Sequence, residues 1–78
     1  MPTILIIDGY RFYFYSNEND EPVHIHVAKA EGKAKYWLVP QLEEAYSYDF
    51  TARERKQIKR MIVENKNKLI KAWYEYFG

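Results

Sequence analysis

The chain is organised around the stretch Glu21-Pro22-Val23-His24-Ile25-His26-Val27. Apolar and imidazole side chains alternate in it. A β-strand therefore places the apolar residues on one face and His24 and His26 on the other. Pro22 suits the first position of such a strand. Side chains on one strand face lie about 6.5–7 Å apart, so two imidazoles can hold one ion or one phosphate.

Two β-prone runs, Thr3 to Ile7 and Tyr10 to Tyr15, precede this strand and are joined by Asp8-Gly9. Asp-Gly supplies the positive φ angles of a type I′ turn, which predicts a tight hairpin. The predicted register pairs Ile7 with Tyr10, Leu5 with Phe12, and Thr3 with Phe14. The face assigned to the core comprises Leu5, Ile7, Tyr10, Phe12 and Phe14. The other face carries Arg11 and four candidate partner contacts, which are Ile4, Ile6, Tyr13 and Tyr15.

Later segments extend the sheet. Lys29 to Gly32 predicts a turn in which Gly32 has a positive φ angle, and Lys33 to Val39 predicts a fourth strand. The register of this strand against the histidine strand stays open, because a shift of one residue exchanges its faces. Residues 16–21 predict a polar loop. Residues 42–50 are compatible with a short helical turn or with a brief fifth strand.

One long helix is predicted from Ala52 to about Tyr76, with Thr51 and Glu54 forming a capping box at its start. The apolar stripe of this helix comprises Ile58, Met61, Ile62, Leu69, Ala72, Trp73 and Tyr76. Asn65 falls inside the stripe and predicts a polar contact to a strand, or membership of a site. The fold class is therefore α+β, a four- to five-stranded, mostly antiparallel meander sheet with one long C-terminal helix packed on one face.

A chain of 78 residues predicts a single domain, residues 1–78. The absence of cysteine excludes disulfide and thiolate metal frameworks and suits a reducing cytoplasm. The start, Met1-Pro2-Thr3, lacks a charged region. The longest apolar run, Ile4 to Ile7, is too short for a signal peptide or a membrane span. We therefore expect a cytoplasmic protein with no membrane contact.

Charge is divided unevenly along the chain. Residues 1–50 carry four cationic and eight acidic side chains, a net charge of −4, whereas residues 51–78 carry eight and three, a net charge of +5. This asymmetry indicates either an anionic partner such as a nucleic acid or an ordinary solvated helix. The candidate anion contacts on the helix are Arg53, Lys56, Arg60 and Lys71.

His24 and His26 are the candidate functional side chains. As a metal site they supply only two of the three or four ligands required, so Asp20, Glu21, Asn65 or a tyrosine would have to complete it. As ordinary residues they occupy a half-exposed strand face. No cofactor is indicated, because the chain has no glycine-rich phosphate loop and no Ser/His/Asp pattern.

The histidines also allow catalysis, because an imidazole titrates near neutral pH and can act as general acid or base. With Arg11 or Lys35 as a phosphate clamp, His24 and His26 would form a ribonuclease-like site. Whether the protein is an enzyme stays open at this point.

Several motifs together resemble a known family. They are Met1-Pro2-Thr3-Ile4, Gly9-Tyr10-Arg11-Phe12, Pro22-Val23-His24-Ile25-His26-Val27, Ala34-Lys35-Tyr36-Trp37-Leu38 and Trp73-Tyr74-Glu75-Tyr76-Phe77-Gly78. With this combination the chain resembles, over almost its whole length, the short prokaryotic domain-of-unknown-function family 4160. The resemblance implies a small cytoplasmic protein of a toxin–antitoxin-like two-gene system, which binds its cognate partner or itself. The ribonuclease-like toxin and the metal-binding protein remain the alternatives.

Overall fold

The computed structural model describes residues 3–17 and 20–78. Its elements are β1 (Thr3–Ile7), β2 (Tyr10–Tyr13), β3 (His24–Lys29), β4 (Gly32–Trp37), β5 (Glu43–Tyr48) and α1 (Ala52–Phe77). The strands form one antiparallel sheet in the order β1-β2-β3-β4-β5. The predicted α+β meander is therefore confirmed, and residues 42–50 contribute a fifth strand instead of a helical turn.

Two expectations fall partly on residues 1, 2, 18 and 19, which lie outside the described residues. They concern the start of the chain and the middle of the loop over residues 16–21. In the described part of the chain, no helix combines the length and the apolar character of a transmembrane segment.

The first hairpin forms as its turn chemistry predicts. Asp8 and Gly9 have φ angles of 49° and 81°, and Ile7 pairs with Tyr10. The predicted pairing of Thr3 with Phe14 is wrong, because a bulge in β1 pairs Thr3 with Tyr13. The extra residue of this bulge is Ile4, which packs against the core instead of standing on the opposite face.

The turn between β3 and β4 differs from its prediction. Lys29 pairs with Gly32, so Ala30 and Glu31 form a two-residue loop, and the positive φ angle of 51° belongs to Ala30. Gly32 is buried in β4 beneath the ring of Phe50. Its lack of a side chain is therefore needed for close packing and not for turn geometry.

Helix α1 begins with the predicted capping box. The Thr51 hydroxyl accepts from the Glu54 amide at 3.1 Å, and the Glu54 carboxylate accepts from the Thr51 amide at 2.8 Å. Its buried side chains are Ile58, Met61, Ile62, Leu69 and Trp73. They cover the sheet face formed by Tyr10, Phe12, Phe14, Ile25, Val27, Ala34, Tyr36 and Leu38.

Two members of the predicted stripe differ from expectation. Tyr76 is largely exposed, although its ring centroid lies 5.3 Å from that of Phe14. Asn65 donates to the Met61 carbonyl of its own helix at 2.9 Å. The predicted contact of Asn65 to a strand is therefore wrong, because the i−4 carbonyl satisfies its amide locally.

A polar clamp joins β4, β5 and α1. The Glu44 carboxylate accepts from the Tyr36 hydroxyl at 3.0 Å and from Nε and Nη2 of Arg55 at 2.9 and 2.6 Å. The Arg55 guanidinium lowers the pKa of Glu44, with a smaller lowering from Tyr36. Burial raises the pKa of the Tyr36 phenol, and Glu44 adds to this rise. The clamp fixes the first turns of α1 against the edge of the sheet.

Candidate functional site

The register of the inner strands places both histidines on the sheet face opposite the core. His24 pairs with Trp37, and His26 pairs with Lys35 on one side and Tyr13 on the other. We call this surface the open face. Its side chains are Ile6, Arg11, Tyr13, Tyr15, His24, His26, Lys33, Lys35, Trp37, Tyr46 and Tyr48.

Both imidazoles are buried, with His24 1% exposed and His26 4% exposed. The expectation of a half-exposed strand face is therefore wrong for this pair. The two ring centroids lie 5.2 Å apart and nearly perpendicular, at 87°. Aromatic side chains of the neighbouring strands and loops and, beside His24, Trp73 of α1 enclose them, so the histidines form the floor of the open face.

His24 is held by rings from two elements and by the backbone. Its centroid lies 5.5 Å from Trp37 and 4.9 Å from Trp73 of α1. Its Nδ1 lies 2.9 Å from the Pro22 carbonyl oxygen. A carbonyl only accepts, so Nδ1 carries the proton and donates. The Glu21 carboxylate lies 4.0 Å from the same nitrogen.

His26 is enclosed by three tyrosines. Tyr13 stacks on it with a centroid separation of 5.4 Å, and Tyr15 meets it edge-on at 4.8 Å. The Tyr46 hydroxyl lies 3.5 Å from His26 Nδ1, at the outer limit of a hydrogen bond. Burial raises the pKa of Tyr13, and the hydrogen bond with Tyr15 adds to this rise. The Tyr13 phenol is therefore neutral at physiological pH.

The two candidate cations reach this cluster through aromatic rings. The Arg11 guanidinium lies 4.4 Å from the centroid of Tyr13, and the Lys35 ammonium lies 4.3 Å from that of Trp37. Lys35 also forms an ion pair with Glu21 at 2.6 Å. Cation–π contacts of this kind stabilise by about 0.5–1 kcal/mol at exposed sites. The structure therefore gathers Arg11, Lys35 and both histidines on one face, with a ring between each cation and an imidazole.

Metal binding by His24 and His26 stays a prediction. Within residues 3–17 and 20–78, no group of three His, Cys, Asp or Glu side chains is placed to hold an ion. The Glu21 carboxylate, 4.0 Å from His24 Nδ1, is already engaged by Lys35.

Only two of the four candidate partner contacts are exposed on the open face. Ile6 and Tyr15 are exposed on the open face, whereas Tyr13 is buried under Arg11 and Ile4 packs against the core. Sequence reasoning missed Tyr46 and Tyr48 as exposed members of the open face. Their alternation in Tyr46-Ser47-Tyr48 would have indicated it, had residues 43–48 been assigned to a strand.

The basic residues of the helix separate into two groups. Arg53, Lys56 and Arg60 line an open cleft of about 410 Å³ together with Gln57. Lys71 follows Arg60 by eleven residues, which is about 16 Å along the helix axis, and does not line the cleft.

The comparisons with known proteins give one match. The model of a family described as a domain of unknown function, DUF4160, matches residues 9–74. No curated protein matches the chain, and no solved structure does.

Proposed function

The chain belongs to the DUF4160 family, and from this membership together with its open face we propose that it is the interaction module of a toxin–antitoxin-like two-gene system. In this proposal the protein binds a small cognate partner protein through the open face. The expected surroundings are the cytoplasm of a prokaryotic cell.

The observation that carries the proposal is the set of large apolar and aromatic side chains left exposed opposite the helix. Ile6 is 67% exposed and Tyr48 64%, with Tyr15 and Tyr46 at 38% and 37%. Tyrosines are enriched where protein partners bind, because the ring supplies apolar area and the hydroxyl a hydrogen bond. The buried layer of His24, His26 and Tyr13 beneath them provides a rigid support.

The size of the face constrains how a partner docks. Five strands of four to six residues, about 4.8 Å apart, give a flat area on the order of 400 Å². A specific interface takes about 800 Å² from each partner. A partner that covers the open face must therefore also extend past an edge. Tyr46 and Tyr48 lie on the edge strand β5, with ring centroids 5.3 Å apart, so this edge is the favoured one.

The test compares two double variants. Tyr46→Ser/Tyr48→Ser removes the open-face rings of β5, and Val63→Ser/Tyr74→Ser removes exposed apolar groups from α1 as the matched control. We expect the first variant to bind the purified protein encoded by the adjacent gene at least about tenfold more weakly, because truncating a hot-spot residue costs about 2 kcal/mol or more. The control should bind like the wild type in the same calorimetric titration.

Equal affinity for wild type and the β5 variant would refute the proposal. Sedimentation velocity of the protein alone tests whether a second copy of the chain, instead of the neighbour protein, occupies the open face. A dimer that dissociates in the β5 variant, with no binding of the neighbour protein, would reassign the open face to self-association.

RNA cleavage is the second candidate function, favoured by the gathering of Arg11, Lys35, His24 and His26 on one face. The buried imidazoles cannot touch a substrate while the covering rings are in place. Tyr46 is 37% exposed, and its hydroxyl lies 3.5 Å from Nδ1 of the buried His26. A cleavage site would therefore use Tyr46 at the surface and His26 behind it as a positioning residue.

Expression in a bacterial host tests this second function. A ribonuclease should arrest growth and degrade total RNA, and Tyr46→Phe and His26→Gln should both relieve the arrest if they fold as the wild type by circular dichroism. Growth that is the same for wild type and His24→Ala/His26→Ala counts against RNA cleavage.

Metal binding is tested separately by melting the protein with and without chelator, where an unchanged melting temperature argues against it.

A further inference from the structure

The first turns of helix α1 present cations that the open face does not use. Arg53, Lys56 and Arg60 line the cleft of about 410 Å³, with Gln57 between them. We propose that this cleft binds the phosphodiester backbone of a nucleic acid. The inference rests on other residues than the partner-binding proposal, since none of the side chains that line the cleft belongs to the open face.

The spacing of the cations fits a chain of phosphates. Positions i, i+3 and i+7 lie on one side of a helix, and seven residues span about 10 Å along the axis. Each nucleic-acid strand carries one phosphate per about 3.4 Å of axis. About 10 Å corresponds to roughly three such spacings, so one run of phosphates can reach all three cations, whereas a single small anion would leave two cations unused.

The three cations of the cleft are also unpaired within residues 3–17 and 20–78. None of the three takes part in an ion pair with a described residue. The acidic residue of the same turn, Glu54, is committed to the Thr51 amide in the capping box. Cations clustered at the start of a helix are repelled by the positive end of the helix dipole and by one another. A bound polyanion would relieve this repulsion.

The neutral residue of the cleft is held in place from below. The Tyr10 hydroxyl donates to Gln57 Oε1 at 3.1 Å, so the amide group of Gln57 is left to donate to a phosphate oxygen. Tyr10 itself is buried and fixed by Phe50, whose ring centroid lies 6.0 Å away. Backbone phosphates carry no sequence information, so this site should bind without sequence preference.

The salt dependence gives a quantitative test. With three phosphate contacts on a single strand, log K should fall with log salt with a slope of about −2, or about 20-fold between 50 and 200 mM. The measurement is fluorescence anisotropy with labelled single-stranded RNA and DNA of mixed sequence, each about 12 nucleotides long. Binding of either strand with this slope supports the site, and the ratio of the two affinities identifies the preferred sugar.

Two triple variants distinguish binding at the cleft from general attraction to the positive charge of the helix. Arg53→Gln/Lys56→Gln/Arg60→Gln should weaken binding more than tenfold at low salt and bring the slope close to zero. The matched control, Lys66→Gln/Lys68→Gln/Lys71→Gln, removes the same charge from the C-terminal half of the helix and should keep the slope. Circular dichroism confirms that both variants are helical.

Three results would overturn the inference. They are no binding by the wild type at low salt, equal weakening in the two triple variants, and loss of binding in Tyr46→Ser/Tyr48→Ser instead of the cleft variant. The last result would transfer nucleic-acid binding to the open face. Titration with the neighbour protein is a separate measurement, so failure here leaves the partner proposal standing.

Discussion

Replacing Gly32 by alanine should destabilise the protein through a single ring. A Cβ atom at this position would lie 2.3 Å from Phe50 Cε1, 2.6 Å from Cδ1 and 2.7 Å from Cζ. All three distances are far below van der Waals contact, so the ring of Phe50 must move. That ring packs near Tyr10 and directly precedes the helix cap at Thr51.

Two opposing effects set the magnitude. Overpacking of this kind costs about 1–3 kcal/mol, whereas alanine in a strand interior is favoured over glycine by about 0.5–1 kcal/mol. Gly32→Ala should therefore lower the free energy of unfolding by about 0.5–2 kcal/mol in the wild-type background. In a Phe50→Ala background the clash disappears, and the same substitution should gain about 0.5–1 kcal/mol. The sign of the effect is expected to reverse.

The assay is a double-mutant cycle by urea denaturation, followed by tryptophan fluorescence, on wild type, both single variants and the double variant. With a urea m-value of about 1 kcal/mol/M, a loss of 1 kcal/mol lowers the midpoint by about 1 M. If the changes in unfolding free energy of the two single variants add up to that of the double variant within about 0.5 kcal/mol, the clash between residue 32 and Phe50 is refuted. Stabilisation of the wild type by Gly32→Ala would refute it as well.

Two further outcomes test the core and the polar clamp. Trp73→Ala should cost about 3–5 kcal/mol, because its buried ring contacts Phe14 at 5.5 Å. Tyr74→Ala, exposed on the same helix, should stay within about 0.5 kcal/mol, and equal losses would contradict the packing argument. Arg55 lowers the pKa of Glu44 in the folded protein. The stability from this carboxylate is therefore present above its unfolded pKa and is lost as pH falls through the lowered value. Thermal melts across acidic pH should show a flatter decline for Glu44→Gln than for wild type, and parallel curves would contradict the clamp.

The candidate site was only half predictable. Strand alternation correctly places His24 and His26 side by side, since alternation depends only on neighbouring residues. Their burial depends on distant segments, since the Tyr46 hydroxyl comes within 3.5 Å of His26 from twenty residues away and the ring of Trp73 on α1 lies 4.9 Å from that of His24. Residues 43–48 do not show clean alternation, because the register pairs Lys35 with Tyr46 and Tyr36 with Glu44, so Ala45 is an extra bulge residue.

What the amino-acid sequence alone determined is local. The Asp8-Gly9 turn, the Thr51–Glu54 capping box and the amphipathic stripe of α1 each follow from residues a few positions apart, whose backbone preferences act in any surroundings. The tertiary structure decided which surfaces meet. The bulge at Ile4, the ring of Phe50 over Gly32 and the closure of aromatic rings over the histidines arise where distant segments compete for the same space. Such packing depends on side-chain shape and on strand register across the whole sheet. A one-residue shift in the register of a strand would expose side chains that are now buried.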